Sequence, residues 1–168
     1  MNNNNIGNSS FAHSIDTLSV YFVNATSLAK FNALQNLGSE LSSLPIDIAL
    51  IAESWFNDKY SDDTLSIENS TLFRRDRIGR IGGGVCAYVR SSIDTNIYKC
   101  PSSPNNVGKV SVEIMWLTCF YKGQNYFIAC CYHPPKPVYH LQYFVDIFKQ
   151  NIEFIVSSHS DSIIMWRL

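Results

Sequence analysis

The chain has 168 residues, of which 46% are hydrophobic, 13% aromatic and 16% charged, and its formal net charge is −1. This composition excludes an intrinsically disordered chain, and the charge balance excludes a globally basic nucleic-acid binder, although a local basic patch is compatible with it. The length suits a single domain.

Residues 1–15 are polar and of low complexity, and we expect them to form a disordered tail. The tail has neither the basic start nor the apolar core of a signal peptide, and no apolar run approaches the ~20 residues of a membrane span. The five cysteines form no C-x-x-C pair and lie mostly in or beside apolar runs. We therefore expect buried, free thiols in an intracellular protein, nuclear or cytoplasmic and not secreted.

The first elements predict a β-α-β unit. Residues 18–23 and 46–52 are short apolar runs of strand composition. Between them, Thr26 or Ser27 offers a helix N-cap, and apolar side chains recur at helical spacing up to Pro45: Leu28, Phe31, Leu34, Leu37, Leu41 and Leu44. Because both strands read as fully buried, we expect them to lie parallel in a covered sheet.

The rest of the chain is rich in strand-like segments. Residues 71–74, 85–89, 110–121 and 126–132 have strand composition, and residues 122–125 (KGQN) supply a hairpin turn between the last two. A second amphipathic helix is predicted over 141–152, and residues 162–166 begin like another buried strand. Helices near both ends with antiparallel strands between them predict two packed sheets flanked by helices.

Two polar side chains follow the predicted parallel strands. Glu53 comes directly after the run that ends at Ala52, and Asn24 follows the first strand. The carboxyl ends of parallel strands are where α/β sheets collect ligands and metals, so both side chains are candidates for one crevice. The alternatives are a strand-end carboxylate that reaches solvent and an asparagine that caps a turn.

Residues 73–84 (FRRDRIGRIGGG) contain four arginines within seven positions. Guanidinium groups bind phosphate bidentately, so this segment is a candidate phosphate-facing patch, although a solvated loop would have the same composition. The three glycines are followed by a strand and by no Gly-Lys-Ser/Thr, which excludes a nucleotide P-loop. We expect them to let the backbone turn tightly into the strand at Val85.

The segment 132–135 (YHPP) ends a predicted strand and enters a loop stiffened by proline. A tyrosine at this place can direct its hydroxyl at a substrate phosphate, although most such tyrosines only pack. Tyr132 is therefore a third candidate site residue.

These segments, in this order, resemble the endonuclease/exonuclease/phosphatase (deoxyribonuclease I-like) superfamily, and are most similar to the endonuclease domain of non-LTR retrotransposon proteins. The family elements N-x-x-S-L, D-I-x-x-L-x-E-T-W-L, F-R-R-D-R, G-G-G-V and Y-R-P-P are matched by VNATSL at 23–28, DIALIAESWF at 47–56, FRRDR at 73–77, GGGV at 82–85 and YHPP at 132–135. The resemblance covers residues 18–165.

The resemblance implies an α/β (α+β) fold, a four-layer α/β/β/α sandwich of two mixed β-sheets flanked by helices, over residues 16–168. It also implies Mg²⁺-dependent phosphodiester hydrolysis, in retroelements a nick in DNA, with DNA as the partner and neither a membrane nor a small-molecule cofactor. By this likeness Glu53 holds the metal, Asn24 supports the metal and phosphate network, and Tyr132 orients the scissile phosphate. The nucleic-acid contacts implied are Arg74, Arg75, Arg77 and, where the family usually has arginine, His133.

The sequence departs from the family at its end. After residues 163–165 the family has G-D-F-N and later an S-D-H element with the general base, whereas this chain reads Trp166-Arg167-Leu168. We therefore expect a C-terminally truncated domain that is inactive alone. The alternatives are a non-catalytic nucleic-acid-binding module that uses residues 74–80, and a phosphodiesterase or phosphatase completed by a partner chain.

Overall fold

The computed structural model describes residues 17–100 and 112–167, so the predicted tail at 1–15 lies outside the described residues. The assignment of residues 16–168 to one domain stays a prediction. The elements are β1 (Val20–Asn24), α1 (Ala33–Ser43), β2 (Ile48–Ala52), β3 (Ser70–Arg75), β4 (Val85–Arg90), β5 (Asp94–Tyr98), β6 (Glu113–Tyr121), β7 (Gln124–Tyr132), α2 (Leu141–Ser158) and β8 (Ile163–Arg167).

The first sheet, sheet A, has the strand order β1-β2-β4-β3. Strands β1 and β2 are parallel and are joined through α1, as the sequence predicted, while β4 pairs antiparallel with β2 and β3. Every residue of β2 is buried, which explains its continuous apolar sequence. The carboxyl ends of β1 and β2 therefore lie side by side at one edge of sheet A.

The second sheet, sheet B, has the strand order β5-β6-β7-β8. Strands β5, β6 and β7 pair antiparallel, and β8 pairs parallel with β7 after the connection through α2. The predicted turn between β6 and β7 is confirmed and is only two residues long, because Tyr121 pairs with Gln124. Lys122 and Gly123 both have positive φ, at 49° and 81°, as a type I′ turn requires.

Three clusters of buried side chains fill the spaces between neighbouring layers. One lies between the sheets and contains Leu50 of β2 and Ile128 of β7. Another joins sheet A to α1 through Leu37, and the third joins sheet B to α2 through Phe144 and Ile147. The order is thus α1, sheet A, sheet B, α2, which confirms the predicted four-layer sandwich of two mixed sheets.

The predicted start of α1 is wrong. Thr26 and Ser27 have positive φ, at 44° and 91°, and the helix begins after Asn32, at Ala33. The backbone N–H groups of Ser27 and Leu28 donate to the carbonyl oxygens of Glu53 and Ser54, at 2.8 and 2.9 Å, so they serve the loop after β2 instead of a helix. Phe31, which was expected on the apolar face, is 93% exposed as a result.

Strand β5 was not predicted. Its sequence, DTNIY, contains Asp94 and Asn96, which are disfavoured in strands, and its burial does not alternate. Pairing with β6 imposes the extended conformation on this edge segment.

The five cysteines are free and buried, as predicted. Neither helix of the described part of the chain combines the length and the apolar character that crossing a bilayer requires.

Candidate functional site

Asn24 and Glu53 lie together at the edge where β1 and β2 end. Asn24 pairs in register with Ala52, the residue before Glu53, and the Asn24 Nδ2 group donates to Glu53 Oε1 at 3.4 Å. The Asn24 side-chain oxygen accepts the backbone N–H of Thr26 at 3.1 Å. The prediction that the parallel strands bring these two side chains into one crevice is confirmed, and their chemical roles stay predictions.

Glu53 has an unusual backbone, with φ at 54° in the left-handed region. This conformation costs a non-glycine residue about 1–3 kcal/mol and persists where surrounding contacts enforce it. Here the flanking hydrogen bonds enforce it, since Ser27 N–H donates to the Glu53 carbonyl and Ser54 N–H donates to the Gly84 carbonyl at 3.2 Å. The carboxylate is thus aimed by the loops of sheet A.

Tyr132 approaches the same carboxylate from sheet B. It is the last residue of β7, and its hydroxyl donates a hydrogen bond to Glu53 Oε1. Partial burial, together with the hydrogen bond to Glu53 and its charge, raises the pKa of Tyr132 to about 12, against the opposing effect of Arg77. The phenol is therefore protonated at neutral pH and available as a hydrogen-bond donor.

A buried carboxylate, which the sequence analysis missed, supports this end of the sandwich. Glu113 of β6 is 2% exposed, forms an ion pair with Arg77, and accepts the Gly84 N–H at 2.6 Å. Burial raises the pKa of Glu113, and its partners Arg77, Gly84 and Arg75 oppose that rise. Glu113 also pairs in register with Tyr132. A lone acidic residue inside an apolar strand segment was the available signal.

The glycines before β4 fit around these groups. Gly82, Gly83 and Gly84 all have positive φ, which confirms the tight turn predicted for them. A Cβ atom at Gly83 would overlap the Arg77 guanidinium, and one at Gly84 would lie 2.9 Å from Ser54 Oγ. The loop can pass over Arg77 at Gly83 and against Ser54 at Gly84 only because both positions lack a side chain.

Arg74 and Arg75 have partners within the protein. Arg74 pairs with Asp62 at 3.1 Å and with Asp76 at 2.8 Å. Arg75 donates to the Ile114 carbonyl at 2.8 Å, and burial lowers its pKa. Nucleic-acid binding by Arg74, Arg75 and Arg77 stays a prediction. These three side chains are only partly exposed, whereas Arg80, in the same segment, is exposed.

The His133 ring points into the α2 side of sheet B. It lies 5.7 Å from the Tyr139 ring and 5.3 Å from the Phe144 ring, centroid to centroid. The structure therefore does not bring His133 together with Glu53 and Tyr132, and its proposed contact with nucleic acid stays a prediction.

The crevice at Glu53 has a volume of about 310 Å³ and is lined by Tyr132 of β7 and by residues of the loops that follow β2, β3 and β7. Among the described residues that line it, Glu53 is the one acidic residue, and the cationic ones are Arg77, Arg80 and Lys136. A small cleft with cationic walls around a single carboxylate suits a phosphate group and one cation.

The oxygen atoms at this site fit Mg²⁺. In the described residues no three His, Cys, Asp or Glu side chains cluster as a metal site, so Glu53 offers the one carboxylate, beside the Asn24 amide. Magnesium is commonly held by one or two carboxylates, with water and substrate phosphates as the other ligands. Glu53 could hold the ion in this way, with Asn24 hydrogen-bonded to its carboxylate.

Comparison with known proteins gives matches at the level of structure. No protein-family model matches the sequence, and no curated protein matches it. Among solved structures, the chain is similar to D. rerio TDP2 complexed with single strand DNA product, with 16% identity and a TM-score of 0.59, over 89% of this chain and 58% of that one. It is also similar to the endonuclease domain of TRAS1, a telomere-specific non-LTR retrotransposon, with 15% identity and a TM-score of 0.54, over 88% of this chain and 57% of that one.

This chain has the endonuclease/exonuclease/phosphatase fold. An endonuclease/exonuclease/phosphatase family protein from Leptotrichia buccalis, with 16% identity and a TM-score of 0.52, covers 89% of the chain. The resemblance inferred from the sequence motifs is thus confirmed for the fold. The chain spans less than two thirds of the length of the D. rerio and TRAS1 structures, at 58% and 57%.

Proposed function

We propose that this chain carries the metal- and phosphate-binding part of a DNA phosphodiester-hydrolysing site of the retroelement endonuclease type. One observation carries the proposal. Asn24, at the end of a strand of sheet A, and Tyr132, at the end of a strand of sheet B, both donate a hydrogen bond to Oε1 of Glu53. An intracellular location, nuclear or cytoplasmic, is part of the proposal.

Each of these residues has a distinct role in the proposal. Glu53 binds Mg²⁺, which when present neutralises charge that develops on the phosphate, and Asn24 supports this network through its hydrogen bond to Glu53. Tyr132, whose phenol stays protonated, turns its O–H from Glu53 to a phosphate oxygen when the substrate binds and so orients the phosphodiester. Arg80 and Lys136 line the crevice and attract the nucleic-acid backbone.

The solved structures with this fold support DNA as the substrate. The TDP2 structure contains a single strand DNA product, and a Neisseria 3′ phosphatase, NExo, is bound to a product DNA hairpin. The TRAS1 domain and the ordered sequence motifs support the retroelement type.

We infer that the described residues favour binding over turnover. Glu53 is the one carboxylate that lines the crevice, and no histidine lines it. Without a second group that can take a proton from water, hydrolysis loses a contribution of typically 10²–10⁴-fold. The corresponding prediction from the sequence, an isolated chain of little or no activity, belongs to this proposal.

A non-catalytic nucleic-acid-binding module is the second candidate. The exposure of Arg80 on the rim favours it, because this guanidinium forms no ion pair with the described residues and can contact phosphate directly. In this case binding would be salt-sensitive and independent of Mg²⁺.

The substitution Glu53→Gln tests the proposal. We expect Mg²⁺ to strengthen binding of a short DNA duplex by the wild type and to have no such effect on Glu53→Gln, because the amide cannot supply the ligand charge. Affinity is measured by fluorescence anisotropy with and without Mg²⁺, and nicking of supercoiled plasmid is measured in parallel. Glu153→Gln, an exposed glutamate on α2, is the matched control and should behave as the wild type.

If the wild type bound the duplex with the same affinity with and without Mg²⁺, the result would contradict the metal site and favour the second candidate. Plasmid nicking that depends on Glu53 would contradict the inference that the chain binds with little turnover, while it would support the assignment of the site.

A further inference from the structure

A second, larger cavity adjoins the Glu53 crevice. Its volume is about 910 Å³, within the usual range for ligand sites, and it lies between the loop after β2 and the loop that joins β3 to β4. We call it the chamber; its walls include Trp55, Phe56, Tyr60, Asp76, Ile78 and Ile81. The chamber and the crevice share Trp55, Arg77, Arg80, Ile81 and Gly82 as lining residues. The Trp55 indole therefore stands between the two cavities.

Hydrogen bonds between the two loops hold the chamber in shape. Trp55 N–H donates to the Gly83 carbonyl at 2.9 Å, which fixes the shared wall. On the opposite side, Arg74 donates to the carbonyl oxygens of Tyr60 and Asn57, each at 3.0 Å. Since the loop after β2 is tied to the β3–β4 loop at Gly83 and to strand β3 at Arg74, the cavity exists before a ligand binds.

The chemistry of the chamber differs from that of the crevice. Both cavities are lined by Trp55, Arg77, Arg80 and Ile81, but the chamber adds the aromatic rings of Phe56 and Tyr60, Ile78, and the charged side chains of Asp58, Arg74 and Asp76. Ile78 is 72% exposed and Ile81 is 93% exposed. Two polar atoms in its walls, Trp55 Nε1 and Asp76 Oδ1, have no hydrogen-bond partner among the described residues. Aromatic side chains beside an unpartnered donor and an unpartnered acceptor are complementary to a planar ring that has polar edges.

We propose that the chamber binds an unpaired nucleobase of the nucleotide next to the phosphate held at Glu53. This inference rests on the proposed function, because the phosphate in the crevice sets the position of the base. The base stacks on the aromatic wall, and a small shift of the loop at 78–82 exposes Trp55 Nε1 and Asp76 Oδ1 to its edge. A base in an intact duplex would have to leave the stack to enter, so the preferred ligand is a single-stranded or unpaired segment.

Tryptophan fluorescence of the full chain tests the proposal without catalysis. We expect a short oligothymidylate to quench fluorescence in the wild type, because a base stacked on Trp55 changes its emission. Trp116 is buried and Trp166 lies on β8, so Trp55→Phe should remove the quenching, whereas the matched control Trp166→Phe should retain it. Trp55→Ala should weaken binding by about 5- to 150-fold, the effect of losing one stacked base.

A ligand that lacks bases gives a second measurement, which does not depend on how a variant folds. An abasic oligonucleotide keeps the phosphates, so the wild type should bind it more weakly by the same factor, and Trp55→Ala should bind both ligands alike. Equal wild-type affinity for the two oligonucleotides would overturn the proposal that the chamber binds a base, and it would leave the proposed phosphate site unaffected. Saturable binding of a mononucleotide as tight as that of the strand would overturn the assignment to a nucleic-acid strand. Absence of binding to any oligonucleotide would overturn both proposals.

Discussion

Replacement of Glu113 by alanine is expected to lower the free energy of unfolding by about 3–5 kcal/mol. The Arg77 side chain is 12% exposed and would lose its ion-pair partner, and the Gly84 N–H would lose its acceptor. An uncompensated buried charge is among the most destabilising consequences of a single substitution. Urea denaturation followed by circular dichroism measures the change.

The double variant Glu113→Leu with Arg77→Met separates this charge effect from a loss of packing. Because both charges are removed together, we expect much of the lost stability to return. Lys149→Met with Glu153→Leu is the control, since this exposed pair, at 3.7 Å on α2, should change stability by under about 1 kcal/mol singly or together. If Glu113→Ala cost no more than the exposed-pair variants, the buried ion pair would not stabilise the fold.

Alkaline pH is expected to destabilise the protein strongly, beginning near pH 9. Burial raises the pKa of Cys130 from about 9 to about 12, and the thiol donates to the Ile51 carbonyl at 3.5 Å between the two sheets. A group whose pKa is higher in the folded state contributes stability below its unfolded pKa and loses it as pH rises through the folded value. For Cys130 this contribution is on the order of 4 kcal/mol, lost between about pH 9 and 12.

The pH dependence of urea unfolding for Cys130→Ala checks this prediction. The alanine variant is less stable at neutral pH, but its stability should fall less steeply between pH 9 and 12, because one titrating thiol is gone. Cys100→Ala is the graded control, since burial raises the pKa of Cys100 only to about 11. Parallel curves for the wild type and Cys130→Ala would show that Cys130 does not titrate in this way.

The strand-end part of the site could be predicted from local sequence. Two short apolar runs joined by a helix predict parallel strands, and this alone places Asn24 next to Glu53. The contact between Tyr132 and Glu53 could not be predicted from local sequence, because it depends on how the two sheets stack. The hydrophobic periodicity of the strands does not contain that information. The family motifs indicated it instead.

The arginine segment shows where charge patterning fails. Local sequence shows the density of cations, but whether each cation is available depends on partners that arrive from other loops and from the other sheet. Asp62 pairs with Arg74, and Glu113, which lies 36 positions along the chain, pairs with Arg77. The predicted start of α1 was wrong for a related reason, since the N–H groups of Ser27 and Leu28 donate to carbonyl oxygens of the loop after β2. Distant hydrogen bonds outweighed a sound local pattern.

The hydrogen bond from Tyr132 to Glu53 makes the geometry of the site depend on how the two sheets are aligned. One partner belongs to sheet B and the other follows a strand of sheet A, so the distance between them changes whenever one sheet slides on the other. A slip of a single residue along a strand, about 3.3 Å, would separate them fully. Substitutions deep between the sheets, far from any ligand, should therefore alter phosphate affinity through alignment alone, and the inter-sheet core is as much a determinant of recognition as the residues that line the crevice.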